Sequence, residues 1–429
     1  MRSPILLAGL AVLSLGACTT VPSARTETAR PFLPAAVPAD AAVRAPVTIL
    51  VSIDGFRPDY LDRGITPNLS RLAANGTRAA MRPSFPSKTF PNHWAIVTGL
   101  RPDRNGIVSN NMEDPAGKRE KFTMATDDPW WWNAASPLWI DAEAAGIRSA
   151  AMFWPGASVA FGGVREDEWP NDVIGGRRPD DWTPYGEAVD DHQRVDTVID
   201  WLRRPAATRP GFLTLYFDEV DTMGHRYGPD DARTNDAIGR VDRAIGHLTA
   251  ELAALGQPAN IVVVSDHGMT PVTKDQVIPL AELASEADGR AVETGVFASF
   301  QPVKGREAAL AASLSRPRAH VRCWPKAQIP ARFYYGSNPR IPAWFCLADP
   351  GWRIMAKPPT RPTGGEHGYD HDAPDMRAIF IASGPAFASG RTLPVFDNVD
   401  VYALIRRVLG MPQVADRDGT LAPVERALR

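Results

Sequence analysis

At 429 residues the chain exceeds the usual single-domain length, yet it suits one large α/β domain carrying insertions. Apolar residues at 44% and charged residues at 22% describe a folded globular protein and exclude a disordered one. A formal net charge of -2 supplies no broad positive field, which excludes duplex nucleic acid as a partner; an anionic substrate must be gripped locally.

In chain order, Arg2 precedes an apolar run over residues 5–15 that is too short to span a bilayer but suits the core of a signal peptide, so residues 1–18 predict export. The run ends in Leu15-Gly16-Ala17-Cys18, which resembles the bacterial lipobox, in which the cysteine is lipidated and becomes the first residue. Two fates fit: a periplasmic protein anchored to the outer membrane through Cys18, or one released after an ordinary cleavage. Residues 19–46, rich in Pro, Ala and Arg without periodicity, read as a tether.

The domain, expected over 47–412 with a tail at 413–429, opens on the apolar, β-branched run of residues 47–53, the pattern of a strand buried on both faces, with Asp54 at its C-terminal end. Residues 212–217 lead in the same way into Asp218 and Asp221, and residues 260–265 into Asp266 and His267. Helical patterns over 67–74, 193–203 and 235–255 alternate with these runs, which predicts a mostly parallel central sheet with helices on both faces. Ligands bind such sheets beyond the carboxyl ends of the strands. Two stretches read as insertions that roof or flank the site: 114–181, with Trp130, Trp131 and Trp132, and 280–361, which is rich in Pro and aromatics and reads as a small subdomain. After Cys18 only Cys323 and Cys346 remain, and an even pair in an exported chain predicts a disulfide.

Asp54, Asp221 with His225, Asp266 with His267, and His367 share strand-end or turn contexts. Singly, each has a bland reading as a turn residue, surface pair or loop. Together at the ends of buried strands they would be costly without a shared cation. Zinc accepts His nitrogen and Asp oxygen, and two ions about 4 Å apart clamp the attacking and leaving oxygens of an in-line phosphoryl displacement. Six ligands divide into two sets of three. Thr89, in Pro83-Ser-Phe-Pro-Ser-Lys-Thr89, precedes an apolar helical pattern over 93–98, which puts its hydroxyl near a helix N-terminus, as nucleophile or as plain cap.

The segments Ser52-Ile-Asp54-Gly-Phe-Arg-Pro-Asp-Tyr60, Lys88-Thr-Phe-Pro-Asn92, Val97-Thr-Gly-Leu-Arg-Pro102, Gly106-Ile-Val-Ser-Asn110, Asp221-Thr-Met-Gly-His225, Ser265-Asp-His-Gly-Met269 and Gly365-Glu-His-Gly-Tyr369 resemble the nucleotide pyrophosphatase/phosphodiesterase family of the alkaline phosphatase superfamily, in a bacterial member. The resemblance implies an alkaline-phosphatase-like core and two Zn2+ ions, one held by Asp221, His225 and His367, the other by Asp54, Asp266, His267 and the Thr89 oxygen. It implies that Thr89 attacks phosphorus to form a phosphoryl-threonine ester, later hydrolysed with net retention, and releases a nucleoside monophosphate. Asn110 would donate to the non-bridging oxygen, with the adjacent Asn111 left as an alternative. Phe90 and Tyr185 resemble the aromatic pair that stacks a base, Trp154 shapes the pocket wall, and His93 and His371 are supporting residues. Asp218 and Gly186 depart from the residues common in the family, which leaves pocket shape open. The substrate is thus a small nucleotide or phosphodiester, with choline-type lipid headgroups, monoesters or phosphonates as enzymatic alternatives. An inactive envelope binding protein is the non-enzymatic one.

Overall fold

The computed structural model describes residues 44–166, 169–170 and 172–429. Cys18, the 1–18 signal segment and most of the 19–46 tether lie outside them. Nine strands form the central sheet: β1 (Val47–Ile53), β2 (Thr77–Arg82), β3 (Ser149–Met152), β4 (Asp181–Thr183), β5 (Phe212–Phe217), β6 (Ala259–Val264), β7 (Ala378–Ser383), β8 (Arg391–Thr392) and β9 (Phe396–Asp397). Their order is β8-β2-β7-β6-β1-β5-β3-β4, with β9 beside β2.

The central trio β6-β1-β5 is parallel, with Ile49 opposite both Leu213 and Ile261. The sheet is mostly parallel, as expected. β7, the exception, runs antiparallel to both neighbours. Alternate residues of one strand enter two separate cores: Leu50 and Val262 pack with Trp94, Trp131 and Trp139, whereas Ile49, Val51 and Val263 pack with Val198, Val241 and Leu248 of the Asp191–Arg203 and Ala232–Ala254 helices. This two-faced burial explains why the strands read as unbroken apolar runs.

The 114–181 stretch corrects the reading of an insertion. It supplies β3, which pairs parallel with β5, and the edge strand β4 begins at its last residue. The run Ser149-Ala-Ala-Met152 is short and unbranched, so its strand signal is weak. Trp131 and Trp132 are core residues rather than a roof, although the Trp132 ring lies 5.9 Å from that of Phe90. The 280–361 stretch does build its own unit: a four-stranded antiparallel sheet over a separate apolar cluster that includes Leu283, Phe300, Leu310 and Ile354. A disulfide joins Cys323 to Cys346 across two of its strands. Residues of the 413–429 segment pack on the body, with Val424 and Ala427 buried and the Asp418 amide donating to Gly99 O.

Candidate active site

The three central strands end side by side and deliver the acids. Asp54 follows β1, and Asp266 and His267 follow β6. Asp221 and His225 stand one turn apart on the Glu219–Tyr227 helix that continues β5. His367 arrives from elsewhere, after the Thr363–Glu366 strand, which pairs antiparallel with Thr270–Thr273 just past His267. Gly55 makes the turn possible: its φ is +67°, and a Cβ there would sit 3.1 Å from the Asp221 carboxylate.

These side chains converge. His267 Nε2 lies 2.8 Å from Asp266 Oδ2 and 3.5 Å from Asp54 Oδ1. Asp221 is approached by His225 Nε2 at 3.5 Å and by His367 Nε2 at 3.7 Å. Two donor sets suit a cation, Asp54 with Asp266 and His267, and Asp221 with His267 and His367. His267 therefore belongs to both, and His225 joins the second through Asp221. The expected division places His267 with Asp54 and Asp266; its ring also stacks 3.5 Å from that of His367, centroid to centroid.

All three histidines direct Nδ1 at a backbone carbonyl: His225 at Gly365 O (2.8 Å), His267 at Gly268 O (2.9 Å) and His367 at Ser87 O (2.8 Å). Donation from Nδ1 leaves the Nε2 lone pair of each ring for a ligand, the usual arrangement behind metal-bound imidazole. Asp54 Oδ1, Asp221 Oδ1 and Asp266 Oδ2 are buried without any hydrogen-bond partner. Burial pushes the Asp54 and Asp266 carboxyls well above their ordinary range, aided for Asp54 by repulsion from Asp266 and then Asp221, and for Asp266 by repulsion from Asp221. Burial, with the charge of His267, pulls His367 well below its usual value. Two acids that resist ionising beside an imidazole, His367, that resists protonation form a cluster short of positive charge, and buried oxygens without donors are costly unless a cation satisfies them.

Thr89 is the first residue of the Thr89–Thr98 helix, so the pattern read over 93–98 begins a turn earlier, and its Oγ1 lies 3.4 Å from His267 Nε2. Asn110 Oδ1 accepts the backbone N–H of Phe90 at 2.9 Å, which ties it beside Thr89, whereas Asn111 lines a small cavity with Glu293. Phe90 is half-buried and packs near Phe122 and Trp132. Tyr185 is 51% exposed, with its hydroxyl donating to Asp218 Oδ2 at 2.9 Å. Arg194 grips the other Asp218 oxygen at 2.7 Å, and the Phe153 ring, 5.5 Å from that of Tyr185, is held at φ +59°. Trp154 is buried and points its indole N–H at His93 O, 3.4 Å away. Lys88 is half-buried, with Nζ 5.7 Å from the centre of the Phe297 ring. His371 lies away from these sets, among Asp370, Asp372 and Arg332.

Two supporting residues escaped the sequence reading. Tyr216 donates to Asp54 Oδ2 at 2.6 Å, and Ser52 Oγ meets His93 Nε2 at 2.8 Å while His93 Nδ1 faces Thr89 O at 2.9 Å. Their only signal is a hydroxyl near the end of a largely apolar strand.

A family model for type I phosphodiesterase / nucleotide pyrophosphatase matches residues 48–370. The chain belongs to that family. It is thereby a phosphodiester hydrolase, and its cluster of acids and histidines is compatible with metal dependence. A bis(5'-adenosyl)-triphosphatase of Xenopus laevis is 34% identical over 370 residues, spanning 85% of this chain and 78% of the relative. Ectonucleotide pyrophosphatase/phosphodiesterase family member 1 of Mus musculus is 34% identical over 385 residues, 86% of this chain but 41% of that longer protein. The structure of murine ectonucleotide pyrophosphatase/phosphodiesterase 5, an inactive threonine-to-alanine variant in complex with AMP, superposes with a TM-score of 0.82 at 31% identity, covering 90% of this chain and 100% of that one. Among the described residues no helix is long and apolar enough to cross a membrane.

Proposed function

We propose that this chain is a two-zinc hydrolase that cleaves nucleotide pyrophosphate or phosphodiester bonds through a phosphoryl-threonine ester on Thr89 and releases a nucleoside monophosphate. The observation that carries the reading is the position of Thr89: the residue is 8% exposed, and its hydroxyl faces His267, the ring common to both donor sets, from the first turn of a helix. Asp54, Asp221, His225, Asp266, His267 and His367 would hold the ions; three unpaired carboxylate oxygens and three free Nε2 lone pairs suit them. When bound, such ions supply Lewis-acid stabilisation of phosphoryl charge and favour the ionised hydroxyl.

In the step we assign to the protein, Thr89 Oγ1 bonds to phosphorus as the bond to the leaving oxygen breaks; water then cleaves the ester and restores the hydroxyl. Asn110, its oxygen occupied by Phe90 N–H, presents its amide N–H groups to the non-bridging oxygen as charge grows there. Phe90 and Tyr185 flank the base; the AMP held by the murine relative supports a nucleotide as the ligand class. The signal segment 1–18, the 19–46 tether and a catalytic domain over 47–412 describe an exported bacterial protein, periplasmic or lipid-anchored at Cys18; the Cys323–Cys346 disulfide fits an oxidising compartment.

Rates on a nitrophenyl nucleotide diester, a choline phospholipid and a nitrophenyl monoester, for the zinc-loaded protein and its Thr89→Ala variant, test the reading. The diester is expected to be strongly preferred and the variant inactive. Preference for the lipid or the monoester would overturn the substrate assignment, and an active variant would overturn the nucleophile.

A further inference from the structure

A half-buried carboxylate of the 280–361 stretch takes no part in that mechanism. Glu293 belongs to the 280–361 unit, at a β-bulge where the pairing of Gly289–Glu293 with Phe297–Pro302 shifts register. Bulges re-aim a side chain, and this one points out of its own sheet into the main body. Glu293 Oε2 accepts the Ser109 hydroxyl at 2.5 Å, and Asn111 lines the same small cavity. Glu293 therefore holds the residue immediately before Asn110.

Glu293 does not act alone. Tyr335 OH donates to Val108 O at 3.0 Å, and Arg340 Nη1 donates to Gly106 O at 2.7 Å. Three side chains of the 280–361 unit thus fasten residues 106–109, the segment that leads into Asn110. An amide that stabilises a growing charge must be held within a fraction of an ångström, and such precision requires supports that are themselves fixed. The disulfide and the separate apolar cluster stiffen the unit from which these supports project.

We propose that Glu293 is a positioning residue for phosphoryl transfer: bonded to Ser109, the residue before Asn110, it fixes the Asn110 amide against the non-bridging oxygen, and so makes the 280–361 unit part of the catalytic apparatus. This rests on the role given to Asn110 above. Its signature is a loss confined to kcat, because the substrate is bound elsewhere and only transition-state stabilisation is lost.

The test compares zinc-loaded wild type, Glu293→Ala, Glu293→Gln, Asn110→Ala and the Glu293→Ala/Asn110→Ala double variant on a nitrophenyl nucleotide diester and on its phosphorothioate analogue, after thermal melts establish folding. Glu293→Ala is expected to lower kcat by about 10- to 100-fold at unchanged KM, and to shrink the oxygen-over-sulfur preference as Asn110→Ala does. The double variant should be no slower than Asn110→Ala, since both changes remove one interaction. Glu293→Gln, whose amide oxygen still accepts from Ser109, should stay within about threefold of wild type. Wild-type kcat in Glu293→Ala beside an impaired Asn110→Ala overturns the positioning role alone, as does a double variant showing the product of the two losses. An unimpaired Asn110→Ala overturns the role of Asn110 and this inference with it. If Glu293→Ala fails to fold, Ser109→Ala takes its place, with about a fivefold loss of kcat expected and an unchanged kcat overturning the proposal.

Discussion

The metal side of the site and the Tyr185 side are assembled by opposite rules. Around Asp54, Asp266 and His267 exposure is 1% or less, yet carboxylate oxygens stand without partners. Around Tyr185, half in solvent, the polar atoms are matched: the phenol binds Asp218, Asp218 binds Arg194, and Arg194 reaches Tyr216 O at 3.0 Å. An unmatched buried group marks where something outside the chain must complete the structure. A matched exposed group marks where the chain has set a shape in advance. Chemistry is therefore expected to depend on the first region and selectivity on the second.

Four measurements test that division. Thr89→Ala should cost about a thousandfold or more in kcat on any diester, with or without a base. Asp221→Ala removes an acid that faces both His225 and His367; activity should fall about a hundredfold, and elemental analysis should find fewer zinc ions per chain. Wild-type metal content in that variant would remove Asp221 from the ligand set. Tyr185→Ala should raise KM for a nucleotide diester by about tenfold and leave a base-free bis(nitrophenyl) diester unchanged, since only stacking is lost. Equal losses on both substrates would break the comparison. The smallest effect concerns Asp191, whose carboxyl burial pushes up to about 6, against the pull of Arg194. A raised folded-state pKa means that the native protein holds the proton longer than the unfolded chain, so stability declines as pH climbs from the ordinary carboxylate range through about 6. Asp191→Asn should therefore gain about 1 kcal/mol on the wild type between pH 4.5 and pH 7.5 in thermal melts, after allowance for partial exposure. A constant difference across that range would dismiss the shift.

The acids were legible because strands buried on both faces announce themselves as apolar runs, and a carboxylate at the end of such a run has few structural uses. His225, whose spacing to Asp221 alone reads as a surface pair, entered the ligand set through the family resemblance of Asp221-Thr-Met-Gly-His225. The partners were not legible in this way. Tyr216 and Ser52 sit inside those runs and look like strand filler, and their hydrogen bonds to Asp54 and His93 cross 162 and 41 residues. β3 was folded into an insertion because small residues carry little strand signal, and the antiparallel direction of β7 depends on which edge the chain returns to, which no local pattern records. Glu293 was invisible for a further reason: its direction comes from a bulge, a property of pairing between two strands rather than of either one.

The carbonyls of Ser87, Gly268 and Gly365 that receive the imidazole protons belong to the main chain, and this bears on how the protein can vary. An orienting side chain can be lost in one substitution; a peptide oxygen cannot. Residues around the cluster are free to diverge while each ring keeps its tautomer, so long as the backbone path is preserved. A comparison of sequences alone would therefore understate how much of the centre is inherited, because its outer support leaves no trace in residue identity.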